Sequence, residues 1–144
     1  KSLRRLAKDE PSIVLTGTQI GATLNSLFGH AYAVVHPSES EGLPIAILEA
    51  MSYGKCVLSS DIPENLEITK EHGLSFKIGE MQDLVDKMAL LIEQPDIAQV
   101  IGEESRLFVA RHFDWKDIAE TTEYLYEMIQ MEPERNKYQE SRIE

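Results

Sequence analysis

Cysteine is nearly absent from this sequence. Cys56 is the only one in 144 residues, so no internal disulfide can form. That fits a reducing cytoplasm, which is the expected location. Long apolar runs are absent as well. No stretch approaches the ~20 apolar residues of a membrane span, and the first residues do not read as a secretory signal. Basic residues are scarce: 14 Lys and Arg stand against 25 Asp and Glu, a formal net charge of −11. This argues against nucleic acid and anionic membrane as main partners, because both demand a basic patch. The local exception is Lys1, Arg4, Arg5 and Lys8. His30, His36, His72 and His112 lack ligand spacing, so no metal is expected. There is no internal repeat and no low-complexity segment.

What is present suits one soluble domain. A chain of this length can bury roughly 70% of its unfolded surface. Short apolar runs alternate with helical stretches. Ile13–Thr16, Ala31–Val35, Cys56–Ser59 and Leu74–Ile78 read as strands, each closed by turn residues. Thr23–His30 reads as a helix capped by Thr23, and Pro44–Tyr53 as one stopped by Gly54. The second half is mostly helical. One apolar face is Leu84, Val85, Met88, Leu91 and Ile92; another is Ile97, Val100, Ile101, Phe108 and Val109. Asp114 can cap a last helix with Ile118, Thr122, Leu125 and Ile129 on one face. Continuous apolar strands with helices between them indicate an α/β fold: a parallel sheet with helices on both faces. The domain is expected over residues 1–130, with a polar, frayed tail over 131–144. The charged, helix-like opening from Lys1 to Asp9 reads as the middle of a domain rather than its start.

The stretch that carries chemistry runs from His36 to Asp61, HPSESEGLPIAILEAMSYGKCVLSSD: strand end, loop, helix, glycine stop, strand. Ligands of open parallel sheets bind at the carboxyl ends of the strands, which is where the Pro37–Leu43 loop lies. The following helix has almost no polar face, so it is expected to be buried on most sides. Glu49 sits alone in it; an unpaired buried carboxylate is costly, so Glu49 is expected to have a partner, reach water or change protonation, and two ligand hydroxyls would satisfy it well. The helix start, near Pro44, offers free N–H groups and a positive dipole end to a phosphate. Gly42 allows close backbone approach. A loop carboxylate at Glu41, an anion seat and a deeper carboxylate match a nucleotide sugar.

These residues resemble a family. Pro37-Ser38, Glu41-Gly42, Leu48-Glu49-Ala50-Met51 and Gly54 look like the signature of glycosyltransferase family 4, whose mark is two glutamates separated by seven residues. Asp61-Ile62-Pro63-Glu64, Glu67 and Gly73-Leu74 fit its next strand and turn, and Phe113-Asp114-Trp115 the segment leading back toward the other domain. The resemblance implies the carboxy-terminal, donor-binding Rossmann-like domain of a GT-B enzyme, which transfers a hexose from a UDP- or GDP-type nucleotide sugar with retention of anomeric configuration. Glu41 would contact the transferred sugar and Glu49 the ribose hydroxyls. Backbone around Ser38, Gly42, Leu43, Pro44 and Ile45 would meet the diphosphate or sugar, and the turn at Gly17-Thr18 would lie near the base. No metal or other cofactor is implied, in keeping with the lack of an Asp-x-Asp pair. The sequence departs from the pattern at Cys56, where the family often has proline. It also lacks the domain's first strands, with their glycine-rich turn and basic residues, and the amino-terminal acceptor-binding domain.

Plainer readings stand beside these. Ser38 serves equally as a turn residue, His36 as a structural histidine, and Cys56 as a small buried hydrophobe. Gly17–Gly21 is no dinucleotide fingerprint, and Trp115 reads as a packing anchor. Two rival functions remain open: a non-catalytic nucleotide-binding or assembly module, and a sugar-nucleotide epimerase on the same fold. Homo-oligomerisation and membrane association through the acceptor domain are undecided by sequence.

Overall fold

The computed structural model describes residues 3–140. Three strands form one parallel sheet in the order β1 (Ala33–His36), β2 (Cys56–Ser60), β3 (Leu74–Phe76). Ala33 faces Cys56 and His36 faces Ser59 in the first pairing; Leu58 faces Leu74 and Ser60 faces Phe76 in the second. The seven helices among the described residues are α1 (Leu3–Leu6), α2 (Gly21–His30), α3 (Ile45–Ser52), α4 (Pro63–Thr69), α5 (Met81–Glu93), α6 (Pro95–His112) and α7 (Trp115–Glu140).

β2 is the keel. All five of its residues are buried, because it pairs on both edges and is covered on both faces. Its alternation divides the core. Val57 and its neighbour Val34 point toward Ile47, Ala50 and Met51 of α3, Ile68 of α4 and Val109 of α6. Cys56 points the other way, toward Leu91 of α5 and Ala98 of α6, with Ala33 and Leu74 packed alongside. The expected α/β class with helices on both faces is therefore what the chain adopts.

Glycine sets two of the close approaches. Gly54 ends α3 at φ +67°, with its N–H on the Met51 carbonyl at 2.9 Å and the Lys55 N–H on the Ala50 carbonyl at 3.2 Å. This crossed pair is a Schellman stop, which requires the left-handed conformation glycine tolerates. Gly102, in the middle of α6, lies directly against that stop. A Cβ placed there would sit 2.2 Å from the Gly54 carbonyl oxygen.

Several sequence expectations are corrected. Ile13–Thr16 is not a strand: it has no regular secondary structure, and Val14 is 78% exposed. Apolar residues make a buried strand only beside a partner edge, and none of the described strands pairs with it. β3 ends at Phe76 rather than Ile78, because the Ile78 N–H is taken by the Asp61 carboxylate at 2.9 Å. α2 starts at Gly21, after an extended Ile20, so Thr23 lies inside the helix and does not cap it. α4 was not anticipated; Pro63 opens it at a first-turn position where the missing N–H costs nothing. Asp114 does cap α7, accepting from the Lys116 N–H at 2.8 Å. That helix continues beyond residue 130 to Glu140. Of the basic cluster near the start, Lys1 lies outside the described residues, as do residues 141–144 of the tail.

Two outcomes are expected. Gly102→Ala should lower stability by at least the ~1–3 kcal/mol of an overpacked core, since the obstructing atom is backbone. Gly54→Ala should cost only the ~1–2 kcal/mol of a left-handed non-glycine residue, because its Cβ would meet nothing closer than 3.6 Å. Urea unfolding of both variants checks the order. Burial pushes the Cys56 thiol up to about 11, so at neutral pH it should resist a thiol-titrating disulfide reagent until the protein is unfolded. Fast native labelling would contradict that.

Candidate functional site

β1 and β2 run parallel and end together, so His36 and Ser60 stand at the same end of the sheet. The chain leaves β1 through the loop 37–43 and enters α3 at Ile45. The loop is tied to both strand ends. The Ser60 hydroxyl donates to the Ser38 carbonyl at 2.5 Å. Asn65, fully buried on α4, donates its side-chain N–H groups to the Ser60 carbonyl at 3.1 Å and to Ser60 Oγ at 3.0 Å.

Three side chains meet above this anchor. His36 Nε2 lies 2.8 Å from Glu41 Oε1, and Ser38 Oγ donates to the same oxygen at 2.5 Å. Ser38 Oγ is also 3.0 Å from His36 Nε2. A serine, a histidine and a carboxylate suggest a hydrolytic triad, but the geometry refuses it. In a triad the serine and the carboxylate engage opposite ring nitrogens; here both sit at Nε2, and the serine donates to the carboxylate instead of to a base. The group is an arrangement for holding Glu41. The Ser38 hydrogen bond, then the one from His36, holds the Glu41 carboxyl below the usual carboxylate range.

The start of α3 carries no side-chain cap. Pro44, buried, precedes the first helical residue, while Gly42, Leu43 and Ile45 are exposed. Nothing lies within 4 Å of where a Cβ would stand on Gly42, so the loop surface there is open. Of the amides singled out by sequence, that of Ile45 is already engaged by the Leu43 carbonyl at 2.8 Å.

The structure brings Ser38, Glu41 and the α3 start together with His36, and of the alternatives for Glu49 it selects access to water. That residue is exposed, and its carboxylate makes no hydrogen bond or ion pair with a described side chain. The apolar helix is not buried all round: Ile47, Ala50 and Met51 face the core, whereas Ile45, Ala46 and Glu49 form an open stripe. The Gly17-Thr18 turn stands apart. Gly17 has φ +66°, and the turn is held locally by Gln19 Nε2 on the Thr16 carbonyl at 2.6 Å. No hydrogen bond among the described residues joins it to the 36–49 segment. Sequence reasoning missed Ser60 and Asn65 as parts of the site. Their only signal was position, at and just after a strand end. Among the described residues no group of three or more His, Cys, Asp or Glu side chains is placed to hold a metal ion.

With this geometry established, the comparisons with known proteins are decisive about family. The family of glycosyl transferases group 1 matches residues 3–108, which include every residue of the site just described. The chain belongs to that family. The sulfoquinovosyl transferase SQD2 of Arabidopsis thaliana is 32% identical over 123 residues, covering 81% of this chain and 23% of that protein. The phosphatidylinositol N-acetylglucosaminyltransferase gpi3 subunit of Schizosaccharomyces pombe is 31% identical over 101 residues, covering 70% of this chain and 22% of the subunit. Among solved structures, the sucrose-phosphate synthase of Thermosynechococcus elongatus superposes with a TM-score of 0.81 at 22% identity, over 88% of this chain and 32% of that one. That likeness establishes the GT-B type of α/β fold for this group 1 domain. The chain spans about a quarter of the length of the curated relatives it matches.

Because the folded-state pKa of Glu41 is lowered, its hydrogen bonds with Ser38 and His36 are complete above the ordinary glutamate range and persist into acid below it. They should be lost only as pH falls through the lowered value. Amide shifts of Ser38 and Glu41, followed by NMR during acidification, should therefore move only below the ordinary glutamate range. Movement within the ordinary range would contradict the arrangement.

Proposed function

We propose that this chain is the donor-binding part of a retaining glycosyltransferase, which moves a hexose from a nucleotide sugar to an acceptor held by the rest of the enzyme. The observation that carries the reading is the held Glu41 carboxylate, placed just before a helix start that has no side-chain cap. An uncapped helix start favours an anion, here the donor diphosphate. Glu41, ionised and oriented, faces the transferred sugar. Glu49 lies on the open side of α3, about 6 Å further along its axis, and accepts from the ribose hydroxyls. Its exposure supports this role better than burial would, since it is solvated until a donor arrives.

The chemistry follows from these assignments. The donor phosphate takes the acceptor proton as the bond to the sugar breaks, while Glu41 and the backbone of Gly42 and Leu43 position the sugar and stabilise charge. No metal or other cofactor is assigned a role, and a UDP- or GDP-type donor is the substrate. The Gly17-Thr18 turn is assigned to the base side of the donor. The relatives' names specify sulfoquinovosyl and N-acetylglucosaminyl groups, so the reading stops at the class of donor. No described helix is long and apolar enough to cross a membrane.

Calorimetric titration with uridine, guanosine and adenosine diphosphates tests the reading. One of them should bind, and Glu49→Ala should weaken it by about 10- to 100-fold, the loss of one charged hydrogen bond of ~1.5–3 kcal/mol. Binding of none, or binding indifferent to Glu49, would count against a donor site here. In the intact enzyme Glu41→Ala should lower turnover more than donor affinity.

A further inference from the structure

A carboxylate that is to face a neutral sugar has two difficulties. Its long side chain has several rotamers, and an exposed charge gains more from water than from a sugar hydroxyl. Both are reduced when other groups already hold one oxygen in place. In this structure Glu41 Oε1 is held twice, by Ser38 Oγ at 2.5 Å and by His36 Nε2 at 2.8 Å. No described residue is assigned a hydrogen bond to Oε2, which leaves that oxygen free to accept from a ligand.

The holding groups are themselves held. His36 is the last residue of β1, so its backbone belongs to the sheet. Ser38 is free of the sheet, but its carbonyl accepts from Ser60 Oγ, and Ser60 is the last residue of β2, 1% exposed. Asn65 then grips Ser60 at both its carbonyl and its hydroxyl. The path from the core to the carboxylate is thus short: Asn65, Ser60, Ser38, Glu41, with His36 bracing from the side. Every link is a hydrogen bond between named atoms, and a rigid supporting shell is what a site of defined geometry needs.

We propose that His36 and Ser60 are positioning residues of the donor site: His36, with Ser38, presents Glu41 to the sugar, and Ser60, gripped by Asn65, fixes the loop that carries them. This rests on the donor-site reading above and adds to it the distinction between sugar and diphosphate. His36 and Ser60 act on the sugar end through Glu41, whereas the diphosphate seat at α3 is independent of them. His36 acts as an N–H donor, not as a base: the ring nitrogen facing Glu41 also has Ser38 Oγ beside it, and both oxygens are satisfied if that nitrogen carries the proton.

The test compares two ligands of one nucleotide, UDP-glucose with UDP, GDP-mannose with GDP or ADP-glucose with ADP, whichever diphosphate binds. His36→Ala should lower the ratio of nucleotide-sugar to nucleoside-diphosphate affinity about tenfold, as expected for one charged hydrogen bond. Diphosphate affinity alone should change by less than about twofold, well under the ~1.4 kcal/mol of a tenfold change. His36→Gln, which keeps an N–H at comparable reach, should restore most of the ratio. Ser60→Ala should act in the same direction, but it is buried, so the variants of His36, whose side chain is 20% exposed, decide the matter if it fails to fold. An unchanged ratio in His36→Ala, or equal loss of both ligands, would show a merely structural histidine and overturn the proposal.

A second measurement separates this from failure of the donor reading. The Glu41 carboxylate, followed by carbon-detected NMR, should titrate below ordinary glutamates in the wild-type chain and move up in Ser38→Ala and, by less, in His36→Ala. Ordinary titration of Glu41 in the wild type would refute the clamp whatever the ligands do. A clamp that titrates as expected in a chain that binds no nucleotide would refute the donor-site reading, and with it the sugar-facing role.

Discussion

Everything in this domain depends on the parallel pairing of β2 with a strand on each side. A buried strand must find partners for its backbone groups on both edges, since water cannot supply them. β1 and β3 do so, and their side chains close the two faces of the core. Parallel direction has a second consequence: the strands' carboxyl ends come out together, and connections must cross over through helices. The loop after β1 and the start of α4 after β2 therefore sit side by side, and that adjacency brings Ser38 within reach of Ser60 and Asn65.

The same pairing sets the position of α3. The helix lies on the Val34–Val57 face of the sheet through Ile47, Ala50 and Met51. Its Schellman stop is pressed against α6 at Gly102, where no side chain fits. A helix fixed at its far end and along its core face has a defined start. The proposed anion seat needs the helix start at a fixed distance from the groups around it, and the Gly54–Gly102 contact secures that from the far end of the helix. The polar network at the strand ends secures the loop, so the two halves of the site are held by different means, one by packing and one by hydrogen bonds.

Much of this was legible in the residues. The runs at Ala31–Val35, Cys56–Ser59 and Leu74–Ile78 announce buried parallel strands, because continuous apolar stretches between turn residues suit a sheet covered on both sides. Gly54 announces its stop, and Asp114 its cap. The His36–Asp61 segment announces the family. The failures are also instructive. Ile13–Thr16 has a strand's composition but no neighbouring edge, and pairing is not a property of one segment. Glu49 was expected in a buried environment because the helix around it is apolar, yet which stripe is covered depends on what packs there. Pro63 follows a strand where a turn is expected, yet it opens α4, since the two uses of proline share the same local conformation.

By itself, then, the sequence determined the α/β class, the three runs that pair as strands, and the segment whose motif marks the family. These are matters of local pattern and residue type. Only the tertiary structure decided that Ser38 and His36 close on one oxygen of Glu41, that Ser60 and Asn65 hold that loop from the neighbouring strand, and that Glu49 faces outward. Those facts depend on the register between β1 and β2 and on the side from which α3 meets the sheet. Contacts between residues far apart in the chain are fixed by how the strands and helices pack, which no single stretch of sequence records.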